Sequence, residues 1–261
     1  MKPAAAIQRV RLTIAFDGAA YAGWQTQRTG IGVQQKIEEA LARLFPSRPG
    51  VQGSSRTDTG VHALGLVAHF DLPVAEARMA PSKLVLAVNA HLPEDIRVTA
   101  AAWVPAGFHA RFQARRKQYR YLIWNHPAMN PLLRHCAWHV PRLLDRVAMR
   151  AAASHVVGRH DFRALTTNPG YERLSTVREV TRCDVRRNGA LITVVIEGDG
   201  FLYRMCRGIV GTLVQVGHGR FEPDDVRRMI RGRDRRLAGM TAPAHGLVLW
   251  SVHYACRPRR A

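Results

Sequence analysis

The stretch TVREVTRCDVRRNGALITVVIE, residues 176–197, decides the fold. Its two ends, Thr176 to Arg187 and Leu191 to Glu197, read as strands. The Asn188-Gly189 dipeptide between them readily takes the left-handed conformation that a tight hairpin requires. Outward on the N-terminal side, a helix is expected at about Leu143 to Val157 and a strand at Gln118 to Trp124. On the C-terminal side, Gly198, Asp199 and Gly200 are expected to open a helix whose apolar face is Leu202, Met205, Ile209, Leu213 and Val216. A polar helix starts at Pro223, where proline suits the first turn, and a strand from Leu247 to Tyr254 closes the chain.

The first half repeats this order. Val10, Leu12, Ile14 and Phe16 alternate with Arg11, Thr13 and Ala15, the period of a half-buried strand that ends at the Asp17-Gly18 turn. Val33, Ile37, Leu41 and Leu44 recur at helical spacing, with Gln34, Lys36, Glu38 and Arg43 on the opposite face. A short strand near Val51 and a longer one around Leu66 to Leu72 follow. Then come a helix from Ser82, as its N-cap, to about His91 before Pro93, and a strand from Ile96 to Val104. Both halves therefore have the split β-α-β order of a ferredoxin-like unit, which predicts an α+β protein with a mixed, mainly antiparallel sheet. The expected domains are residues 1–110 and 111–261, the second completing an active-site cleft.

Composition limits the function. The chain has 261 residues, and 39 Lys and Arg against 19 Asp and Glu leave a net charge of +20. Ordinary surfaces keep net charge small, so the excess predicts a polyanionic partner. It runs through Arg111, Arg115, Arg116, Lys117 and Arg120, then Arg178 to Arg187 and Arg227 to Arg236, with a short basic end at Arg257 to Arg260. Charges, glycines and prolines break every apolar run before membrane-spanning length, and Gln8 and Arg9 interrupt any leader-like segment, so a soluble, cytoplasmic protein is expected. Cys136, Cys183, Cys206 and Cys256 lie tens of residues apart and read as reduced structural thiols. Neither their spacing nor that of the histidines suits a metal site.

The chemistry concentrates in Gly53-Ser54-Ser55-Arg56-Thr57-Asp58-Thr59-Gly60-Val61-His62-Ala63. Glycines at both ends permit strained turns, and small side chains leave space for a ligand over the loop. Arg56 and Asp58 are spaced to pair, either as a surface salt bridge in a turn or as a catalytic pair that keeps a nucleophilic carboxylate ionised. The loop resembles that of the tRNA pseudouridine synthases of the A type, G-x-G-R-T-D-x-G-V-H-A, with Ser55 in place of a glycine and Thr59 in place of an alanine. The resemblance extends through Gly23-Trp24-Gln25-Thr26-Gln27, Val33-Gln34, Asn89, Leu92-Pro93, Asp95-Ile96, Phe108-His109-Ala110-Arg111-Phe112 and Tyr119-Arg120-Tyr121. It continues through His160-Asp161-Phe162, Phe201-Leu202, Met205, Arg207, Ile209-Val210-Gly211, Asp234-Arg235, Thr241 to Ala244 and Gly246-Leu247.

That resemblance implies conversion of uridine to pseudouridine at positions 38 to 40 of the tRNA anticodon stem-loop, without cofactor or metal, by a homodimer. It implies Asp58 as the nucleophile, attacking C1′ of the ribose or C6 of the uracil, and Arg56 beside it to grip a phosphate or occupy the space of the flipped base. Tyr119 matches the active-site tyrosine and Leu247 an apolar pocket residue, and Arg207 is carried over as substrate-binding. Phe108, Arg111 and Phe112 interleave aromatic and basic side chains in a pattern suited to RNA, or else the two rings belong to the core. A non-catalytic RNA-binding module and an aspartate-dependent glycosidase are the competing classes; the loop lacks the second carboxylate that glycosidases use.

Overall fold

A computed structural model describes residues 6–167 and 175–255. Along the chain the described residues form β1 (Ile7–Phe16), α1 (Val33–Leu44), β2 (Gln52–Gly53), β3 (His62–Pro73), α2 (Pro81–Asn89), β4 (Ile96–Val104), β5 (Ala114–Trp124) and β6 (Trp138–His139). There follow α3 (Arg146–Ser154), β7 (Gly158–Asp161), β8 (Val177–Asn188), β9 (Leu191–Gly198), α4 (Met205–Gly217), α5 (Pro223–Gly232) and β10 (Leu247–Tyr254). They divide into two compact units: residues through Arg115 with those from Leu249 onward, and Arg116–Val248. The chain thus returns most of its final strand, from Leu249 onward, to the unit it began with.

In the first unit β1 lies between β4 and β3, antiparallel to both. Val10, Leu12, Ile14 and Phe16 of β1 are buried, as their alternation requires, and α1 and α2 bury Val33, Ile37 and Leu41, and Leu84 and Val88. The order β4-β1-β3-β2 is the split β-α-β arrangement. Here β2 is only two residues long, paired with His69 and Ala68, and β10 neighbours the same strand β3. In α2 the cap is Ala80, with Pro81 in the first turn, so Ser82 lies inside the helix and is not its N-cap.

The second unit places its strands in the order β5-β9-β8-β7, each antiparallel to the next, while β6 runs parallel to β5. The protein is therefore α+β, with mainly antiparallel pairing. The β8–β9 hairpin pairs Asn188 with Leu191, so its loop is Gly189-Ala190 and only Gly189 is left-handed, at φ 58°. Asn188 ends the strand instead of occupying the turn. Helix α3 is shorter than its apolar pattern predicts because Asp145 caps it, accepting from the Val147 and Ala148 amides at 2.8 and 3.0 Å. Helix α4 opens at Met205, not at Gly198 to Gly200. Asp199 is held to β8 instead, its amide donating to the Glu179 carbonyl and its carboxylate accepting from the Glu179 amide, both at 3.1 Å. Cys136, Cys183 and Cys206 are reduced thiols, and burial pushes the Cys183 pKa up to about 12, away from reactivity; Cys256 and Arg257 to Arg260 lie outside the described residues.

Helix α4 is buried along most of its length. A Cβ on Gly208 would overlap the Leu165 carbonyl, and one on Gly211 would overlap the Met240 carbonyl. Both obstacles are backbone, which cannot rotate away. Gly211→Ala should therefore destabilise the protein by about 1–3 kcal/mol, read as a lower urea midpoint at unchanged slope.

Candidate active site

The Asp58 loop owes its shape to the segment between β1 and α1. The Trp24 amide donates to the Thr57 carbonyl at 3.3 Å, and the Gly60 amide donates to the Tyr21 carbonyl at 3.4 Å. Gly23, at φ +96°, lies so close to Thr57 that a side chain there would collide with the Thr57 carbonyl, and Gly18 meets the Val61 carbonyl in the same way. At the loop's start the Trp24 indole covers Gly53, where a Cβ would come within 2.5 Å of Nε1. The loop closes on itself where the Val61 amide donates to the Asp58 carbonyl at 3.1 Å, with Gly60 left-handed at φ 77°. Ser55 does not have a positive φ, so the serine found there meets no backbone strain. Thr59 is exposed, and its added bulk projects from the loop.

Polar contacts fix the supporting segment in turn. His62 Nδ1 accepts from the Gly18 amide at 3.1 Å and lies 3.0 Å from the Asp17 carboxylate. The Tyr21 hydroxyl donates to Asp95 at 2.6 Å; burial, then that bond, raises its pKa, so it stays protonated. Within this frame Asp58 is half-buried and Arg56 exposed. The carboxylate rests on an immobilised backbone and the guanidinium reaches solvent, as a nucleophile and a phosphate-gripping group would need.

Phe108 and Arg111 lie in the same unit, in the turn that follows β4. Arg9 pairs with Asp71 through two 2.7 Å contacts and donates to the Phe108 carbonyl at 2.6 Å, tying the turn to the β1–β3 pair. The Phe108 ring is half-buried, edge-on to His69 at 6.0 Å and tilted against Tyr254 at 5.2 Å. It is a packing residue of this unit, whereas Arg111 is exposed. His69, only 2% exposed, accepts the Ala110 amide on Nδ1 at 3.2 Å. Burial, reinforced by Arg9 and His109, lowers its pKa to about 4.

Tyr119, Arg207 and Leu247 belong to the second unit. Tyr119 is buried on β5 opposite Ile196, its ring edge-on to Phe201 at 5.2 Å. Arg207 on α4 donates through Nε to the Ala242 carbonyl at 2.8 Å, and the Ala242 amide donates back to the Arg207 carbonyl at 3.0 Å. Thr212 accepts the Gly239 amide and Gln215 the Met240 amide, both at 3.1 Å, so the segment before β10 is clamped along one side of α4. The buried Tyr121 hydroxyl donates to the Pro243 carbonyl at 2.8 Å, and Gly246 leaves room for its ring. That clamp delivers Leu247, 5% exposed, at the first position of β10. The spacing of the histidines and tyrosines did not single out His62, His69 or Tyr21; their amide and carboxylate partners lie tens of residues away and leave no local signal. Among the described residues no group of three or more His, Cys, Asp or Glu could hold a metal ion.

A family profile described as tRNA pseudouridine synthase matches residues 12–113 and 152–255. The chain belongs to the tRNA pseudouridine synthase family, a family of isomerases. A protein of Syntrophotalea carbinolica named tRNA pseudouridine synthase A is 46% identical over 250 residues, covering 94% of this chain and 96% of that one. Proteins of the same name from Ruminiclostridium cellulolyticum and Pelobacter propionicus are 42% and 43% identical over 249 residues, covering 95% of this chain and all of theirs.

The depressed pKa of His69 makes stability depend on pH. The unfolded chain takes up this proton near pH 6.5 and the folded chain only near 4, so the contribution is complete above 6.5 and is lost as pH falls through that window. Urea unfolding at pH 7 and pH 4 should show the wild type losing up to about 3 kcal/mol more than His69→Gln. Parallel losses would assign the acid sensitivity to other groups.

Proposed function

We propose that this protein isomerises uridine to pseudouridine in the anticodon stem-loop of tRNA, with the Asp58 carboxylate as nucleophile. The observation that carries the reading is the loop itself: a half-buried carboxylate on a backbone held by Tyr21, Gly23 and Trp24 of the preceding segment. Membership of an isomerase family supports it. The C1′–N1 bond of uridine breaks, the uracil turns, C1′ joins C5, and the C5 proton leaves while N1 gains one. Asp58 attacks C1′ or C6, holding the fragment covalently while the base turns. Nothing is oxidised or reduced, so the balance needs neither redox cofactor nor energy source.

A stacked uridine is out of a carboxylate's reach, so the base is extruded at a cost of about a few kcal/mol. Arg56, exposed beside Asp58, grips the backbone or fills the vacated space, and its planar fork does this better than a lysine. Tyr119 stacks on the uracil and assists removal of the C5 proton, and Leu247 supplies apolar lining. Arg207 and Arg111 bind phosphate, while Phe108 acts through the turn it anchors. No helix among the described residues is long and apolar enough to cross a membrane, and the site of action we propose is the cytoplasm.

Asp58→Asn tests the assignment. Pseudouridine formation on unmodified tRNA should fall by roughly 10⁴-fold while tRNA affinity stays within about twofold. Retained turnover would remove Asp58 from the chemistry, and release of free uracil by the wild type would indicate a glycosidase. We further propose a homodimer, supported by membership of the family whose resemblance implies one. Sedimentation at micromolar concentration should give twice the 29.2 kDa chain mass; a single-chain mass would refute it.

A further inference from the structure

Five aromatic rings form a ladder through the first unit. Tyr254 stands 5.2 Å from Phe108, Phe108 6.0 Å from His69, His69 4.7 Å from His109, and His109 4.2 Å from Phe112, where the last two rings are inclined by 34°. The ladder runs from the interior at His69 to the surface at Phe112, which is 75% exposed. An exposed phenylalanine on a loose loop would need no explanation. This one is held at every step: the Tyr254 hydroxyl donates to the Ala110 carbonyl at 2.7 Å, and Arg9 and His69 bind the backbone at Phe108 and Ala110. His109 Nδ1 accepts the amides of Arg111 and of Phe112 itself, at 3.1 and 3.3 Å. The Gln113 amide returns to the His109 carbonyl at 3.1 Å and its side chain donates to the Gly107 carbonyl at 2.8 Å. His109 thus stacks beside the ring whose backbone it fixes.

We propose that Phe112 is a stacking platform for an unpaired base of the RNA substrate, with Arg111 gripping the adjoining phosphate. The inference rests on the tRNA reading above and names a contact residue for it. The occupant follows from the surroundings. The Arg111 guanidinium lies 5.7 Å from the ring centroid, and exposed Arg115 and Arg116 follow, with no carboxylate between Gly107 and Arg116. An exposed aromatic ring with a guanidinium against it suits a base joined to a phosphate, and the basic run of chain around it disfavours a basic protein partner. Every base has a π-face, so this contact adds affinity without selecting sequence. The preorganised ring also loses little conformational entropy on stacking.

The test compares Phe112→Ala, Phe112→Trp and wild type for tRNA affinity, pseudouridine kinetics and sedimentation. Phe112→Ala should weaken tRNA binding and raise KM by about tenfold to a hundredfold, while kcat at saturating tRNA changes less than about threefold. Phe112→Trp should restore affinity, and its added fluorescence relative to wild type should be quenched by tRNA. Unchanged affinity in Phe112→Ala, or fluorescence indifferent to tRNA, would overturn the platform while leaving the Asp58 assignment intact. A Phe112→Ala variant that sediments as a single chain where wild type dimerises would reassign the ring to a protein interface. A wild type that makes no pseudouridine would instead defeat the underlying reading, whatever Phe112 does.

Discussion

Backbone packed directly on backbone is the constraint on which the candidate site depends. Gly18 and Gly23 press the segment after β1 against Val61 and Thr57, and the amides of Trp24 and Gly60 bond across the junction. Any side chain at either glycine would separate the two segments and leave those amides without partners in a largely buried place, a loss comparable to that of the hydrogen bonds themselves. The position of Asp58 is therefore set by residues some thirty-five positions earlier in the chain more than by its immediate neighbours. His62, accepting the Gly18 amide, and Tyr21, donating to Asp95, brace the same junction.

The second unit uses the same device. Gly211 brings α4 against the backbone at Met240, and Arg207, Thr212 and Gln215 along that helix satisfy the amides and carbonyls of residues 239–242. Tyr121 completes the clamp through Pro243. The segment before Leu247 has little regular structure, so its backbone groups find partners on side chains, and it is held firmly for that reason. In the first unit Asp58 stands on irregular chain made rigid by a neighbouring segment, whereas in the second Tyr119, Arg207 and Leu247 stand on β5, α4 and the first position of β10.

Charge acts at longer range than these contacts. A surplus of twenty positive charges draws a polyanion to the surface whatever its sequence. Pairs such as Arg9 with Asp71 and Arg182 with Asp184 take only part of the arginine complement. Family membership turns that general attraction into a particular substrate class, and the proposed platform at Phe112 would add an apolar contact to it.

Helical spacing located α1 at its observed bounds, because an amphipathic period survives any tertiary arrangement that buries one face, and the strands read at Ile96–Val104 and Leu247–Tyr254 match β4 and β10 at both ends. The sequence reading misplaced the starts of α2, α3 and α4, where Pro81, Asp145 and the Asp199–Glu179 contacts decide, and it missed the short strands β6 and β7. The motif around Asp58 stands in the sequence as a string, and Arg56, Tyr119 and Leu247 become candidates there through the family resemblance. Only the folded chain separates Phe108, whose ring is spent on His69 and Tyr254, from Phe112, which is presented to solvent. The physical reason is distance along the chain: burial periods and turn chemistry act over a few residues and are written locally. The partners that clasp a loop or cover a ring come from tens to more than a hundred positions away, and their identity exists only once the strands have paired.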